Sequence, residues 1–356
     1  MDYVKIWCIA VGPGVMNFVE IYDKTTNQVK GLILIDCGGS QSIYEKVSSR
    51  LVDSILARNN NFINLVLISH TNAEYSNLLS ELEVDMNGLI FGGSNDSYKQ
   101  SSLKETIATL VDAEFLEKEK VFISDSSSYS RVVGSLDLSV FGIDTDVILR
   151  LLISDSEVGG KDASSIWQIT VGSHYTLFTA DASIQTIQKA NGIIGENLTY
   201  FTGTSICDLM TIPHHGSYVI ESKEKVTKLD PSLKVFGTYI NARYGIANSA
   251  LHRNWIYSSQ YVQEAVLPNP VAMARHICYI HNKSNVYGKR QYTTGYLTNS
   301  SVIEGEDRSI SYSLKMDGTS QNVPQYYKEN DTTPQDDFTH LAANVREEEG
   351  VVYGPE

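Results

Sequence analysis

Cysteine is scarce in this chain, positive charge is outweighed, and long apolar runs are missing; each shortage removes a class of protein. Four cysteines in 356 residues, Cys8, Cys37, Cys207 and Cys278, lie far apart and form no C-x-x-C pair. That excludes a zinc ribbon or a dithiol redox motif, and the four read as reduced, buried thiols. Lysine and arginine number 28 against 42 aspartates and glutamates, a formal net charge of −14. A molecule so charged repels polyphosphates as a whole, which disfavours general nucleic-acid binding and leaves room only for a local groove. No apolar run reaches the roughly 18 residues a membrane span needs. Residues 1–6 lack the basic and apolar regions of a secretory leader. A soluble, cytoplasmic protein with no membrane role is therefore expected. Repeats at solenoid periods are absent as well, and the 21 tyrosines are dispersed, with no basic stripe between them.

What is present is 42% hydrophobic and 20% charged residues, over a length that suits one large or two small globular domains. Apolar, β-branched runs over 4–10, 17–22 and 31–36, punctuated by Gly12-Pro13-Gly14 and a polar stretch over 24–28, predict an opening β-meander. Ile43, Tyr44, Val47, Leu51 and Ile55 fall at helical spacing and predict a helix over 40–58 with Ser40 as its N-cap. A buried strand over 63–69 then runs directly into His70. A helix over 101–116 follows, then strands over 136–141, 147–153, 166–171 and 175–179, the last two joined by a Gly172-Ser173 hairpin with His174 in the turn. Further on come a short helix over 183–190, strands over 209–212 and 234–240, and a helix over 248–258. A meander followed by strand–helix–strand crossovers predicts an α/β protein whose helices cover packed sheets. One main domain is expected over 1–300, an edge strand or extension over 301–320, and a mobile acidic tail over 321–356.

Three segments carry the chemistry. Met210-Thr211-Ile212-Pro213-His214-His215-Gly216-Ser217 is an apolar strand that ends in two imidazoles. Leu67-Ile68-Ser69-His70-Thr71-Asn72-Ala73-Glu74-Tyr75 ends a second strand in a histidine and a polar loop, and Leu177-Phe178-Thr179-Ala180-Asp181-Ala182 ends a third in a carboxylate. Four more pieces stand in order around them: Val11-Gly12-Pro13-Gly14, Ile35-Asp36-Cys37-Gly38-Gly39, Asp162-Ala163-Ser164-Ser165-Ile166 and Asn241-Ala242-Arg243-Tyr244-Gly245. Together, over about residues 4–260, they resemble the metallo-β-lactamase fold, and within it the hydrolase domain of the ComEC competence proteins. The resemblance implies a four-layered αββα sandwich.

In that family a loop of the form H-x-H/D-x-D-H supplies ligands to two divalent ions, a later aspartate bridges them, and a late histidine completes the second site. Two such ions share a hydroxide, lower its pKa and steady the leaving oxygen of an ester. Carried onto this chain, the metal ligands are His70, Glu74, Asp181 and one of His214 or His215, with His70, Glu74 and Asp181 also the catalytic set. Asn72, Tyr75, Ser217 and Tyr244 fall at ligand-binding positions, and Asp36, Gly38 and Gly216 are structural at the site. The loop departs from the pattern at three positions. Asn72 offers only a neutral amide, Glu74 lengthens the arm of an aspartate by a methylene, and Tyr75 puts a phenol where the family has an imidazole. Pro13, Val15 and Met16 in the opening turn and Ile246 in the late loop drift toward apolar residues in the same way.

Two states of the centre follow. Either one zinc or manganese ion remains on His70, Asp181 and one of His214 or His215, three protein ligands and a water being sufficient, or no metal is held and the side chains satisfy one another by hydrogen bonds. The corresponding functions are a catalytically weak or inactive hydrolase homologue that binds a protein partner or a second copy as a regulatory subunit, and an active metal-dependent phosphodiesterase or nuclease working on a small phosphodiester or a nucleic-acid end. Ser165 and Ser217 read as hydrogen-bond donors rather than nucleophiles. His276, Cys278 and His281 read as a packed strand, and Lys223, Lys225 and Lys228, interspersed with Glu221 and Glu224, as a solvated face.

Overall fold

The computed structural model describes residues 1–12, 14–92, 98–99, 101–124, 135–154, 164–182, 206–211, 242–248, 291–293, 311–319, 321–322, 324–327 and 331–334. In chain order the strands are β1 (Tyr3–Cys8), β2 (Met16–Tyr22), β3 (Val29–Cys37), β4 (Phe62–Ile63), β5 (Leu65–Ile68), β6 (Asp85–Met86), β7 (Leu89–Gly92), β8 (Val121–Ser124), β9 (Ser135–Leu136), β10 (Ile148–Ser154), β11 (Ser165–Val171), β12 (His174–Phe178), β13 (Ile206–Thr211), β14 (Tyr244–Ala247), β15 (Gln291–Thr293), β16 (Ser311–Met316) and β17 (Gln325–Tyr327). The longer helices are α1 (Ser49–Arg58) and α2 (Ser102–Asp112).

Eight strands form one mixed sheet in the order β17-β16-β1-β2-β3-β5-β7-β8, and seven form a second in the order β15-β14-β13-β12-β11-β10-β9. Both are built alike. An antiparallel meander, β1-β2-β3 or β10-β11-β12, is extended by parallel strands added to its last member, β5, β7 and β8 in one sheet and β13, β14 and β15 in the other. Parallel neighbours need crossovers; those of the first sheet contain α1 and α2.

Period-two alternation sorts the side chains into layers. Val4, Ile6, Cys8, Ile33 and Ile35 face the second sheet, where they meet Leu149, Leu151, Trp167, Ile169, Val171, Phe178 and Leu209. Their neighbours Trp7, Phe18, Leu32 and Leu34 face outward, onto Leu51, Val52, Ile55 and Leu56 of α1 and a cluster that includes Leu103, Ile107 and Leu110 of α2. Strands covered on both faces have no need of polar alternation, which explains the uninterrupted apolar run from Leu32 to Ile35. Sheet packed on sheet with helices outside is the α/β arrangement expected of a metallo-β-lactamase sandwich. The helix expected over 183–190 and the strand over 234–240 lie outside the described residues, as does the helix expected over 248–258 beyond Asn248.

Several elements differ from expectation. Ser40 does not cap its helix, its hydroxyl meeting that of Ser42 at 3.2 Å instead. The helix opens with Gln41–Ile43 and widens into a π turn over Tyr44–Ser48 before α1, where buried Ser48 donates to the Ala10 carbonyl. The strand over 63–69 is two, split at Asn64, whose amide accepts from Leu32 N–H at 3.0 Å and donates to the Phe141 carbonyl at 3.0 Å. The strand over 136–141 shrinks to β9, because Asp137 accepts from Ser139 N–H at 3.0 Å and starts a 3-10 turn that drops Leu138 and Phe141 into the core between the sheets. Tyr244-Gly245, expected in a loop, lies in β14. The edge strand expected within 301–320 is found as β16, between β1 and β17. Its outer neighbour β17 falls inside the segment expected to be a mobile tail, ordered there by burial of Tyr326 and Tyr327.

Candidate functional site

Strands β3 and β5 run parallel, as do β12 and β13, so their C-terminal ends deliver Asp36, His70 and Asp181 to one rim. Asp36 is the extra residue of a β-bulge, since β2 pairs Met16 with Cys37 but Asn17 with Ile35, and its φ is 59°. A bulge re-aims its side chain. The Asp36 carboxylate accepts from Ser69 N–H at 2.7 Å and Ser69 O–H at 2.6 Å, fixing the residue that precedes His70. The second sheet uses the same device with hydroxyls. Thr179 N–H donates to Thr211 Oγ1 at 2.8 Å, Thr179 O–H donates to the Thr211 carbonyl at 2.6 Å, and Ala180 follows with φ 45°. Bonds that join the sheets here include Ser165 N–H to the Ser69 carbonyl at 2.9 Å, and Asn248 Nδ2–H to Asn17 Oδ1 at 2.8 Å.

His70 is buried, and its Nδ1 accepts the Asn72 backbone N–H at 3.0 Å. That bond engages the Nδ1 lone pair. Asn72 Nδ2 donates to Glu74 Oε1 at 3.3 Å. The 3-10 turn Ala73–Tyr75 then turns Tyr75 inward, fully buried, with its ring centroid 5.3 Å from that of His70. Burial, reinforced by the charge of nearby Asp181, holds the Tyr75 phenol pKa well above its ordinary value. Burial likewise pushes the Asp36 carboxyl up to about 7, with the Asp181 charge adding to the rise and the two Ser69 bonds opposing it.

Glycines bring three loops into backbone contact beside this cluster. A Cβ on Gly38 would lie 2.3 Å from the Glu74 carbonyl, and one on Gly14 would lie 2.3 Å from the Gly38 oxygen. Val15 N–H donates to the Glu74 carbonyl at 3.2 Å, and Gly38 N–H to the Val15 carbonyl at 2.9 Å. Below lies a cavity of about 10 Å³ lined by Val15, Asn17, Asp36, Phe178, Ala180, Thr211 and Asn248, the size of a single water.

These donors do not suit the metal pair that the family resemblance implies. Cation binding requires a histidine lone pair and deprotonated oxygen ligands. Here the His70 Nδ1 lone pair is taken by a backbone N–H, and burial keeps the Tyr75 phenol pKa well above its ordinary value. Among the described residues no group of three His, Cys, Asp or Glu side chains converges as a cation site. His214, His215, Gly216 and Ser217 lie outside the described residues. Tyr244, expected at a ligand-binding position, belongs to the core between the sheets, and Ile246 packs there too. Three contributors escaped the sequence reading: Ser69, Asn17 and Asn248. Only Ser69 carried a signal, its place directly before His70. His174, expected in a turn, opens β12 buried, its Nδ1 2.8 Å from Asp208, which also accepts from Arg243 at 3.0 Å.

No family model and no curated protein matches the chain. Among solved structures it is similar to CmlA, a diiron β-hydroxylase from Streptomyces venezuelae, at 14% identity and a TM-score of 0.39, over 69% of this chain and 44% of that one. A point variant of the same hydroxylase aligns at 13% identity and a TM-score of 0.37, over 69% of this chain and 45% of the other. The chain thus spans less than half the length of these structures, and a likeness of this depth assigns neither iron nor hydroxylation to it. By its own topology it is an α/β protein of two packed mixed sheets, with three carboxyl groups, an imidazole and a phenol gathered at one rim.

Proposed function

We propose that this chain is a ComEC-like protein of metallo-β-lactamase fold whose dinuclear centre has been dismantled, a catalytically weak or inactive hydrolase homologue that acts as a binding or regulatory subunit of a larger cytoplasmic assembly. The observation that carries this is the capture of the buried His70 Nδ1 by the Asn72 backbone N–H at 3.0 Å. A two-ion mechanism needs imidazole and carboxylate ligands around a shared hydroxide; here that imidazole nitrogen is engaged, and burial beside Asp181 keeps the Tyr75 phenol pKa well above its ordinary value, short of the phenolate a cation needs. The net charge of −14 favours a partner with a basic face, and among the described residues no helix is long and apolar enough to cross a membrane.

The test uses protein purified without added metal or chelator, analysed for zinc and manganese, and assayed on a bis-aryl phosphodiester with either ion added. Substoichiometric metal and turnover no higher than that of Asp181→Ala are expected. Stoichiometric metal, with turnover that disappears in Asp181→Ala, would overturn the proposal in favour of a metal-dependent phosphodiesterase.

A further inference from the structure

Strand β1 carries a lysine within an apolar run, and its surroundings set it apart chemically. Period-two alternation puts Lys5 on the outward face with Trp7, its side chain half-buried. The register places it opposite Glu20 of β2 on one side and Lys315 of β16 on the other. Glu20 would be its natural counter-ion, but both oxygens of that carboxylate are taken. Trp7 Nε1 donates to Oε2 at 2.7 Å, and Arg58 reaches Oε1 at 2.9 Å through Nε and Oε2 at 3.2 Å through a terminal nitrogen. Lys315 pairs with Asp317 at 3.3 Å. Lys5 is left with neutral partners: its Nζ sits 4.0 Å from the centroid of the Trp7 ring and donates to the Tyr327 hydroxyl at 3.2 Å. Arg58 lies 5.4 Å over the same indole, and among the described residues no carboxylate forms an ion pair with Lys5. An ammonium between a ring face and a phenol, beside a second cation, gives up its proton more readily than one facing a carboxylate. Burial lowers the Lys5 pKa to about 8, opposed by the charge of Glu20 and aided by that of Arg58. Tyr3, Tyr22 and Tyr327, which face the same cluster, stay neutral phenols, their pKa values raised by burial. We infer that Lys5 is a covalent-capture site for small aldehydes: its Nζ, held over Trp7 and left without a counter-ion by the Glu20–Arg58 pair, forms a Schiff base. The Nζ lone pair makes the bond to the carbonyl carbon, the C–O bond breaks, and the oxygen departs as water with both amine hydrogens. The site lies on the outer face of the first sheet and is independent of the state of the rim around His70 and Asp181.

The experiment exposes the full chain to limiting acetaldehyde with cyanoborohydride, which reduces the imine to a stable secondary amine, and maps the label by mass spectrometry across a pH series. Fragment ions separate Lys5 from the Met1 α-amine. At pH 8 half of an amine of pKa about 8 is free, against roughly 0.3% of one at the ordinary 10.5. Half-burial offsets part of that gain, so Lys5 is expected to take label on the order of ten-fold faster than the median lysine of the chain, with a pH midpoint near 8. In Arg58→Gln the Glu20 carboxylate is released to Lys5, and labelling of Lys5 at pH 8 falls several-fold. In concentrated urea the preference disappears, because the cluster exists only in the fold. Labelling of Lys5 no faster than that of the median lysine, or a midpoint at about 10 or above, would overturn the inference. So would a preference that survives in urea, or undiminished labelling in a folded Arg58→Gln variant.

Discussion

At the residue scale the site is governed by protons. Asp36 has a folded pKa of about 7 against 3.8 for its ordinary value, because it is wholly buried and near Asp181. Between those two values the folded protein binds a proton that the unfolded chain has released, so stability falls as pH rises from about 4 to 7. Each unit of difference is worth about 1.4 kcal/mol, which makes the total on the order of 4 kcal/mol. Asp36→Asn mimics the protonated acid: its oxygen can accept from Ser69 N–H and its amide can donate to Ser69 Oγ. Denaturant unfolding of this variant should show a clearly shallower pH slope from 4 to 7 than the parent; equal slopes would assign the dependence to other groups. The identities of His70, Asn72, Glu74 and Tyr75 and their departure from a metal-binding loop were legible in the sequence. The direction of the phenol was not, since it depends on a turn of three residues.

At the element scale, close approach and buried pairing position the rim. Gly38→Ala would force a Cβ into the Glu74 backbone, which is not a flexible side chain that can move aside. The expected loss is about 2–3 kcal/mol, measured by chemical denaturation, while Gly142→Ala, whose Cβ would meet nothing closer than 3.6 Å, pays only for its left-handed φ of 77°. The end of α1 is fixed by Glu20 of β2, fully buried, which accepts from Trp7 Nε1 at 2.7 Å and from Arg58 Nε at 2.9 Å. Glu20→Ala leaves the indole N–H without its partner. Breaking a fully buried pair costs about 3–5 kcal/mol; since the Arg58 side chain keeps 38% exposure, about 2–3 kcal/mol is expected, and an unchanged unfolding midpoint would rule the anchor out. Periodicity found α1, α2 and most strands to within a few residues. It failed at Asn64 and Asp137, where one polar side chain captures backbone groups and ends a run that apolar pattern alone would continue.

At the scale of the whole molecule, two sheets of like construction share one apolar core, with Trp167 fully buried near its centre. Trp167→Ala should remove about 3–5 kcal/mol and, because both sheets lose contacts together, should shift a single transition rather than split it; separate transitions followed by fluorescence and circular dichroism would contradict a shared core. Strand order was not legible. Strand β16, 308 residues after β1 by their first positions, takes the place beside it, and β17 closes that edge.

By itself the sequence determined the α/β class and the chemistry available at each strand end, because these follow from local periodicity and from the donor properties of single side chains. Only the tertiary structure decided that Asp36 grips Ser69 across a bulge, that Thr179 pairs with Thr211, and that Asn248 reaches Asn17. Those contacts join residues far apart in the chain, and which partner a buried polar group finds is settled by the packing that brings the strand ends to one rim.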